Sequence, residues 1–117
     1  MRLNRAMIFV SDLPGMTAFY ADTLGLKLIA ETRLDNYVEF ETGGALFALH
    51  AIPVSARCET ATASPRENYP IKLSFGVEND AAEAKRLEAL GVTILRRPWG
   101  SYDGVDPEGN VFGIYSE

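Results

Sequence analysis

The segment that decides the fold is Ala6-Met7-Ile8-Phe9-Val10-Ser11-Asp12-Leu13-Pro14, which joins a strand to a helix. The residues up to Val10 favour a strand and are followed at once by a turn signal. Asp12 suits a helix N-cap, and Pro14 is tolerated in the first turn because its missing N–H would have no partner there. Apolar residues then follow at helical spacing up to Gly25, which suits a left-handed C-cap: Met16, Phe19, Tyr20 and Leu24.

Three more strand-like segments follow Gly25, at residues 26–32, 36–41 and 45–52. The apolar pattern then stops. Between residues 53 and 70 small and polar residues dominate, which is typical of a linker or a flexible cover. The order of elements before the linker is therefore βαβββ.

The chain after the linker repeats this order. Residues 71–77 predict a strand, Asp80-Ala81-Ala82-Glu83 has the signature of a capping box, and the helix that follows ends at Gly91. Strands are expected at 92–95, 102–105 and 111–115. Asp106-Pro107-Glu108-Gly109-Asn110 is interpreted as a turn rather than as a calcium or catalytic-acid site, because Pro and Gly supply the backbone angles of a turn.

The two halves also match residue by residue. The matched pairs are Arg5 with Lys72, Val10 with Val77, Asp12 with Asn79, Leu24-Gly25 with Leu90-Gly91, and residues 44–50 with 109–115. We therefore predict an α+β fold of two tandem βαβββ modules, about 1–52 and about 71–117, joined by the linker 53–70. A module of about fifty residues is expected to be marginal alone, so residues 1–117 are predicted to form a single domain.

Composition excludes several classes of function. Sixteen acidic and eleven basic side chains give a net charge of −5, and without a Lys/Arg run this argues against nucleic acid or an anionic membrane as partner. One cysteine, Cys58, excludes an internal disulfide and a thiolate cluster. The reducing environment that this fits, together with the lack of a signal peptide or spanning segment, predicts a cytoplasmic protein.

Strand alternation separates a core face from a mixed face. The core face is uniformly apolar: Ile8, Val10, Phe47, Leu49, Leu73, Phe75, Val77, Phe112 and Ile114. The mixed face combines apolar walls with a few polar groups: Arg5, Met7, Phe9, Leu46, Ala48, His50, Lys72, Ser74, Val111, Gly113 and Tyr115. Small-molecule sites are lined in this way.

Specific segments resemble the vicinal oxygen chelate superfamily, which includes glyoxalase I, bleomycin resistance proteins and extradiol dioxygenases. They are Ile8-Phe9-Val10-Ser11-Asp12, Phe19-Tyr20, Leu24-Gly25-Leu26 and residues 106–110, within the doubled βαβββ pattern. The resemblance covers nearly the whole chain except the linker. It implies a cup-shaped mixed sheet, a small-molecule ligand and a homodimer.

Metal-using members of that superfamily place two histidines and two glutamates, or variants of these, on the first, fourth, fifth and eighth strands. Carried over, these positions are Arg5, Ala48, Lys72 and Gly113. None supplies a ligand, since arginine stays protonated, lysine must first lose its proton, and alanine and glycine have no side-chain donor. We therefore predict no metal and no cofactor. Shifting the match to the superfamily's ligand positions by one residue supplies no ligand set either.

Alternatives stay open for the remaining candidates. Arg5 and Lys72 bind an anionic group of a ligand, or they pair with Glu39, Glu41 or another acidic residue. His50 is a general base, or it only hydrogen-bonds a neighbour. Aromatic residues near the cup stack on a ligand, or they fill its rim and cap the sheet edge: Trp99, Tyr102 and Tyr115.

The predicted function is that of a metal-free protein of the bleomycin-resistance kind, which sequesters a small organic molecule in the cup. Its predicted ligand-binding residues are Arg5, Met7, Phe9, Leu46, His50, Lys72, Trp99, Tyr102 and Tyr115. The alternative is a glyoxalase-like lyase or isomerase, or a dioxygenase-type enzyme, with His50 as base or a non-standard metal site. A third alternative is a structural or regulatory dimer with an empty cup.

Overall fold

The computed structural model describes residues 1–56 and 64–117, so Cys58 lies outside the described residues. It divides the chain into two compact units, Met1–Glu59 (unit 1) and Thr60–Glu117 (unit 2). That residues 1–117 form a single domain stays a prediction.

Unit 1 contains the first predicted module as a four-stranded mixed sheet. Its strands are β1 (Arg5–Val10), β2 (Lys27–Leu28), β3 (Tyr37–Glu41) and β4 (Leu46–Ala51), in the order β1-β4-β3-β2. β1 is parallel to β4, and the other neighbours are antiparallel. Residues 26–32 form only the two-residue strand β2 and then a 3-10 turn, Ala30–Thr32, so the strand predicted there is shorter than expected.

The helix of unit 1 begins and ends as its sequence predicts. Helix α1 (Leu13–Ala18) is capped by Asp12, whose side chain accepts a hydrogen bond from the Gly15 amide at 3.1 Å. It continues into a π-helical turn, Phe19–Thr23. Gly25 follows with φ of +81°, a left-handed conformation in which a Cβ would be strained.

Unit 2 repeats the arrangement. It consists of β5 (Ser74–Val77), α2 (Asp80–Ala89), β6 (Ile94–Arg96), β7 (Tyr102–Val105) and β8 (Val111–Ser116), in the sheet order β5-β8-β7-β6. β5 is parallel to β8, as β1 is to β4. Two βαβββ modules with mixed sheets confirm the predicted fold class.

The cap of α2 differs from the prediction by one residue. Asn79, not Asp80, is the N-cap, and its side chain accepts a hydrogen bond from the Ala82 amide at 2.9 Å. Asn79 is the repeat mate of Asp12, so both helices begin with the same device. The acidic residues Asp80 and Glu83 lie in the first turn of α2, where they complement the helix dipole.

The face that alternation assigned to the core is buried on β4 and β8 and only half-buried at Ile8, Leu73, Phe75 and Val77. In unit 1, Val10, Phe47 and Leu49 are buried, and the ring of Tyr20 packs against Phe47 at 4.8 Å between centroids. In unit 2, Leu87 of α2 is buried, as are Phe112 and Ile114 of β8. Within residues 1–56 and 64–117, no helix has the length and apolar character needed to cross a membrane.

Replacing Phe47 by alanine tests which face is the core. Phe47 is 3% exposed and Phe9, on the opposite face of the same sheet, is 59% exposed. We expect Phe47→Ala to lower the free energy of unfolding by about 3–5 kcal/mol, and Phe9→Ala by less than about 1 kcal/mol. Urea titration followed by circular dichroism measures both, and equal losses would contradict this assignment of faces.

Candidate functional site

The mixed face of unit 1 carries one buried carboxylate. Glu39 on β3 is 4% exposed and lies opposite Ala48 on β4. Its Oε2 accepts a hydrogen bond from the Tyr37 hydroxyl at 2.6 Å and lies 2.9 Å from Nε of Arg5. Of the two alternatives for Arg5, the structure therefore contains the ion pair with Glu39.

Hydrogen bonding controls the protonation of this cluster. The hydrogen bond from Tyr37 lowers the pKa of Glu39 below its ordinary value, with help from Thr32 and Arg5 and against the effect of burial. Burial, together with the neighbouring carboxylate, raises the pKa of Tyr37 to about 12. At neutral pH the cluster is a carboxylate held between a phenol and a guanidinium.

His50 lies at the end of the same face. Its Nδ1 is 2.8 Å from the carbonyl oxygen of Ala51, so a hydrogen bond there requires Nδ1 to carry the proton and leaves Nε2 as an acceptor. Its ring lies 5.5 Å from Phe9 and 6.0 Å from Tyr37 between centroids. Met7 and Phe9 are exposed on this face, whereas Leu46 is half-buried.

The corresponding face of unit 2 carries a buried carboxylate held by two cations. Asp103 on β7 is 2% exposed and lies opposite Gly113 on β8. Nζ of Lys72 lies 2.8 Å from its Oδ1, and Nε of Arg97 donates to its Oδ2 at 2.8 Å. The NH1 and NH2 groups of Arg97 in turn donate to the two carboxylate oxygens of Glu67.

Sequence reasoning identified Lys72 but not Asp103 or Arg97. One signal was present, since Asp103 is an acidic residue within the otherwise uncharged strand β7. Its position opposite Gly113 corresponds to that of Glu39 opposite Ala48, so each unit pairs a matched cation with a buried acid. The hydrogen bond to Glu67 raises the pKa of Arg97 and lowers that of Glu67, so both groups are charged at neutral pH.

The four positions that the resemblance matches to metal ligands do not fit a divalent metal. Arg5 and Lys72 are cations bound to carboxylates, and Ala48 is fully buried without a donor atom. A Cβ added at Gly113 would lie 2.4 Å from Oγ of Ser74 and 3.5 Å from Cε of Lys72. Among the described residues, no three His, Cys, Asp or Glu side chains form a group that could hold a metal ion.

A pocket of about 610 Å³ lies in unit 2, beside the Asp103 cluster. Of the predicted ligand-binding residues, Lys72 and Trp99 line it, together with Arg97, Asp103 and Val111. Residues 66–71, which we call the strap, form another wall.

Two predicted site residues of unit 2 do not line this pocket. Tyr102 pairs with Ile114 on the core side of the sheet, where Arg96 lies 6.0 Å from its ring. Tyr115 pairs with Gly76 at the far end of β8 and is half-exposed.

The turn after β7 holds the strap in place. Asp106 is buried and accepts hydrogen bonds from the amides of Glu108 and Asn110, which confirms the turn at residues 106–110. The Arg66 amide donates to the Gly109 carbonyl at 2.8 Å, and its Nε donates to the Glu108 carbonyl at 3.1 Å. The strap is therefore attached to the turn by backbone carbonyls.

The model of the Glyoxalase/Bleomycin resistance protein/Dioxygenase superfamily matches residues 2–114. The chain belongs to this superfamily.

Solved structures agree with this glyoxalase-like fold. A glyoxalase/bleomycin resistance protein/dioxygenase family enzyme from Burkholderia phytofirmans PsJN is 21% identical, with a TM-score of 0.72 over 99% of this chain and 98% of that chain. A lactoylglutathione lyase from Agrobacterium tumefaciens is 25% identical, with a TM-score of 0.69 over 98% and 92%. An integron cassette protein from V. cholerae is 25% identical, with a TM-score of 0.70 over 99% and 94%. No curated protein matches the chain.

Glu39→Gln tests the buried carboxylate of unit 1. At pH 7 we expect the free energy of unfolding to fall by about 1–3 kcal/mol, because the charge-assisted bonds are lost. The folded-state pKa of Glu39 is lowered, so the stability it contributes is present above about pH 4.3 and is lost as pH falls through the lowered value.

The difference in the free energy of unfolding between Glu39→Gln and wild type, measured by urea titration, should therefore become smaller towards pH 3. Glu41→Gln, which removes an exposed ion pair with Lys27, is the matched control and should cost less than about 0.5 kcal/mol. A cost of Glu39→Gln that is the same at pH 7 and pH 3 would contradict this account.

Gly113→Ala tests how closely Ser74 and Lys72 pack against Gly113 on β8. We expect a loss of about 1–3 kcal/mol, because the new methyl group meets Ser74. In the double variant with Ser74→Gly the loss should be smaller than the sum of the single losses, as measured by a double-mutant cycle in urea. Additive losses would count against a close contact at this position.

Proposed function

We propose that this superfamily member is a metal-free small-molecule-binding protein that holds a small organic ligand in the unit 2 pocket and acts by sequestration. The observation that carries the proposal is the ion pair that each unit forms at a position matched to a metal ligand by the resemblance. Arg5 is bound to Glu39 and Lys72 to Asp103, so the buried acidic oxygens next to these positions already bind cations of the protein itself.

The pocket has the chemistry that small-molecule sites require. Val111 and the exposed ring of Trp99 offer apolar surface, while Lys72, Arg97 and Asp103 supply fixed polar groups. A few oriented charges on an apolar lining select a ligand by both shape and charge. The pocket volume of about 610 Å³ is within the range typical of sites for small organic molecules.

A second candidate function is a glyoxalase-like lyase or isomerase with His50 as general base. It is favoured by the hydrogen bond at Nδ1, which leaves Nε2 able to accept a proton on the mixed face of unit 1. Arg5 lies on the same face and would stabilise a developing oxyanion. If His50→Gln leaves unchanged the rate of any reaction that the wild-type protein catalyses, His50 is not the base and the enzyme hypothesis fails.

A homodimer and a cytoplasmic location belong to the same proposal. The dimer is supported by Met7 and Phe9, which are 41% and 59% exposed on the mixed face of unit 1. Large apolar side chains on one face often mark a surface that a partner covers. Light scattering of the purified chain and of Phe9→Ser measures the oligomeric state, and a wild-type monomer would refute the dimer.

The binding function is tested by thermal shift after dialysis against EDTA. Panels of small aromatic acids, amines and neutral compounds are compared, and at least one class should raise the melting temperature to the same extent with and without EDTA. Trp99→Ala should weaken the best binder about three- to tenfold, since one aromatic contact is removed. Tyr102→Ala, on the other face of the sheet, is the control and should leave binding unchanged.

Metal analysis of the same preparation is the opposing measurement. Stoichiometric zinc, nickel, iron or manganese that survives dialysis and is required for an activity would refute the metal-free proposal. The absence of a shift with all three classes of compound would refute binding in this pocket.

A further inference from the structure

Arg97 presents its guanidinium to the unit 2 pocket in a fixed orientation. Its Nε donates to Asp103, which is 2% exposed and is held from the other side by Lys72. The Arg97 side chain itself is only 18% exposed. The remaining edge, NH1 and NH2, is the planar pair of donors that binds a carboxylate with two parallel hydrogen bonds.

Glu67 already occupies that edge, but it is held differently from Asp103. NH1 donates to one Glu67 oxygen at 3.2 Å, and NH2 donates to the other. The Glu67 side chain is 45% exposed, so its carboxylate can return to water, while Arg97 keeps its ion pair with Asp103. Glu67 therefore stands where the carboxylate of a ligand would bind.

The pocket wall carries one more positive than negative charge, which favours the binding of an anion. Among the described residues that line it, the cations are Arg66, Lys72 and Arg97, and the carboxylates are Asp103 and Glu67. Arg66 donates its Nε to a carbonyl and lies 5.9 Å from the Tyr69 ring, and within the described residues it forms no ion pair. If Glu67 turns away, the excess positive charge of the wall rises and an incoming carboxylate would restore the balance.

The other walls suit a flat apolar body. Trp99 is 75% exposed, Tyr69 is 58% exposed and Ile71 is 79% exposed, and all three line the pocket with Val111. Exposed rings beside a guanidinium can cover the planar part of a ligand while its acid group binds the cation.

We propose that the unit 2 pocket binds a small planar organic carboxylate on the NH1 and NH2 groups of Arg97, and that Glu67 is a resident competitor which leaves this edge when the ligand binds. The inference rests on the proposed function and specifies its ligand class. Because the Arg66 backbone is bonded to the Gly109 carbonyl, the exchange requires rotation of the Glu67 side chain and not release of the strap.

The test compares benzoate with benzamide, which has the same shape without the charge, by calorimetric titration of the full chain. In wild type, benzoate should bind more tightly than benzamide. Glu67→Gln should tighten benzoate binding about tenfold because the competing anion is gone, and it should leave benzamide unchanged. Glu78→Gln removes an exposed acid of unit 2 outside the pocket lining and controls for net charge.

Arg97→Lys keeps the charge but loses the paired donors, so benzoate should bind at least about tenfold more weakly. Circular dichroism and the melting temperature without ligand check that each variant is folded, and Glu67→Ala serves as a second variant if Glu67→Gln is not.

The outcomes separate this inference from the proposed function. Equal binding of benzoate and benzamide, or a Glu67→Gln variant that binds benzoate no better than Glu78→Gln, would overturn the carboxylate assignment and leave the pocket as a binding site. A failure of wild type and every variant to bind either compound would overturn the carboxylate assignment. If the panel of acids, amines and neutral compounds then also gave no shift, the proposed function would fail with it.

Discussion

Each sheet contains a buried carboxylate, and the arrangement of the charged side chains on its mixed face depends on it. Burying a carboxylate away from solvent costs free energy unless cations and hydrogen-bond donors surround it. Asp103 meets this requirement with Lys72 and Arg97, and Glu39 meets it with Arg5 and Tyr37. Once each acid is fixed by the strand register, the positions of the cations around it follow. The faces are therefore organised by charge pairing, while the opposite faces are organised by apolar packing.

The same pairing explains why the positions that the resemblance matches to metal ligands do not fit a divalent ion in this chain. A divalent ion needs neutral or anionic donors, and the matched positions of the two units hold Arg5 and Lys72 instead. Each cation supplies positive charge from the protein itself to the buried acid beside it. Ala48 and Gly113 lie opposite these acids, and at Gly113 an added Cβ would lie 2.4 Å from Oγ of Ser74.

The sequence predicted the repeat well and the long-range contacts poorly, for a physical reason. Local signals such as Asp12 at the helix start and Gly25 and Gly91 at the helix ends act over one turn of chain, and each is found in the structure. The shortening of β2 and the pairing of Asp103 depend on neighbouring strands, which no local pattern reports. Tyr102 was assigned to the ligand site, yet it adjoins Asp103 in β7, and alternation allows only one of the two to face the pocket. The acid faces the two cations, so the tyrosine lies on the other side.

Net charge is the property whose meaning changes most once the pairs are known. A total of −5 suggests that an anion would be repelled, and it describes the field at a distance. Within a pocket the nearest charges dominate, because screening by salt shortens the reach of the rest to about 10 Å or less. Among the described residues lining the unit 2 pocket, three cations face two carboxylates, and one of these carboxylates is half-exposed. An acidic protein can therefore present a locally cationic site, provided that its buried acid orients the cations and its exposed acid can be displaced.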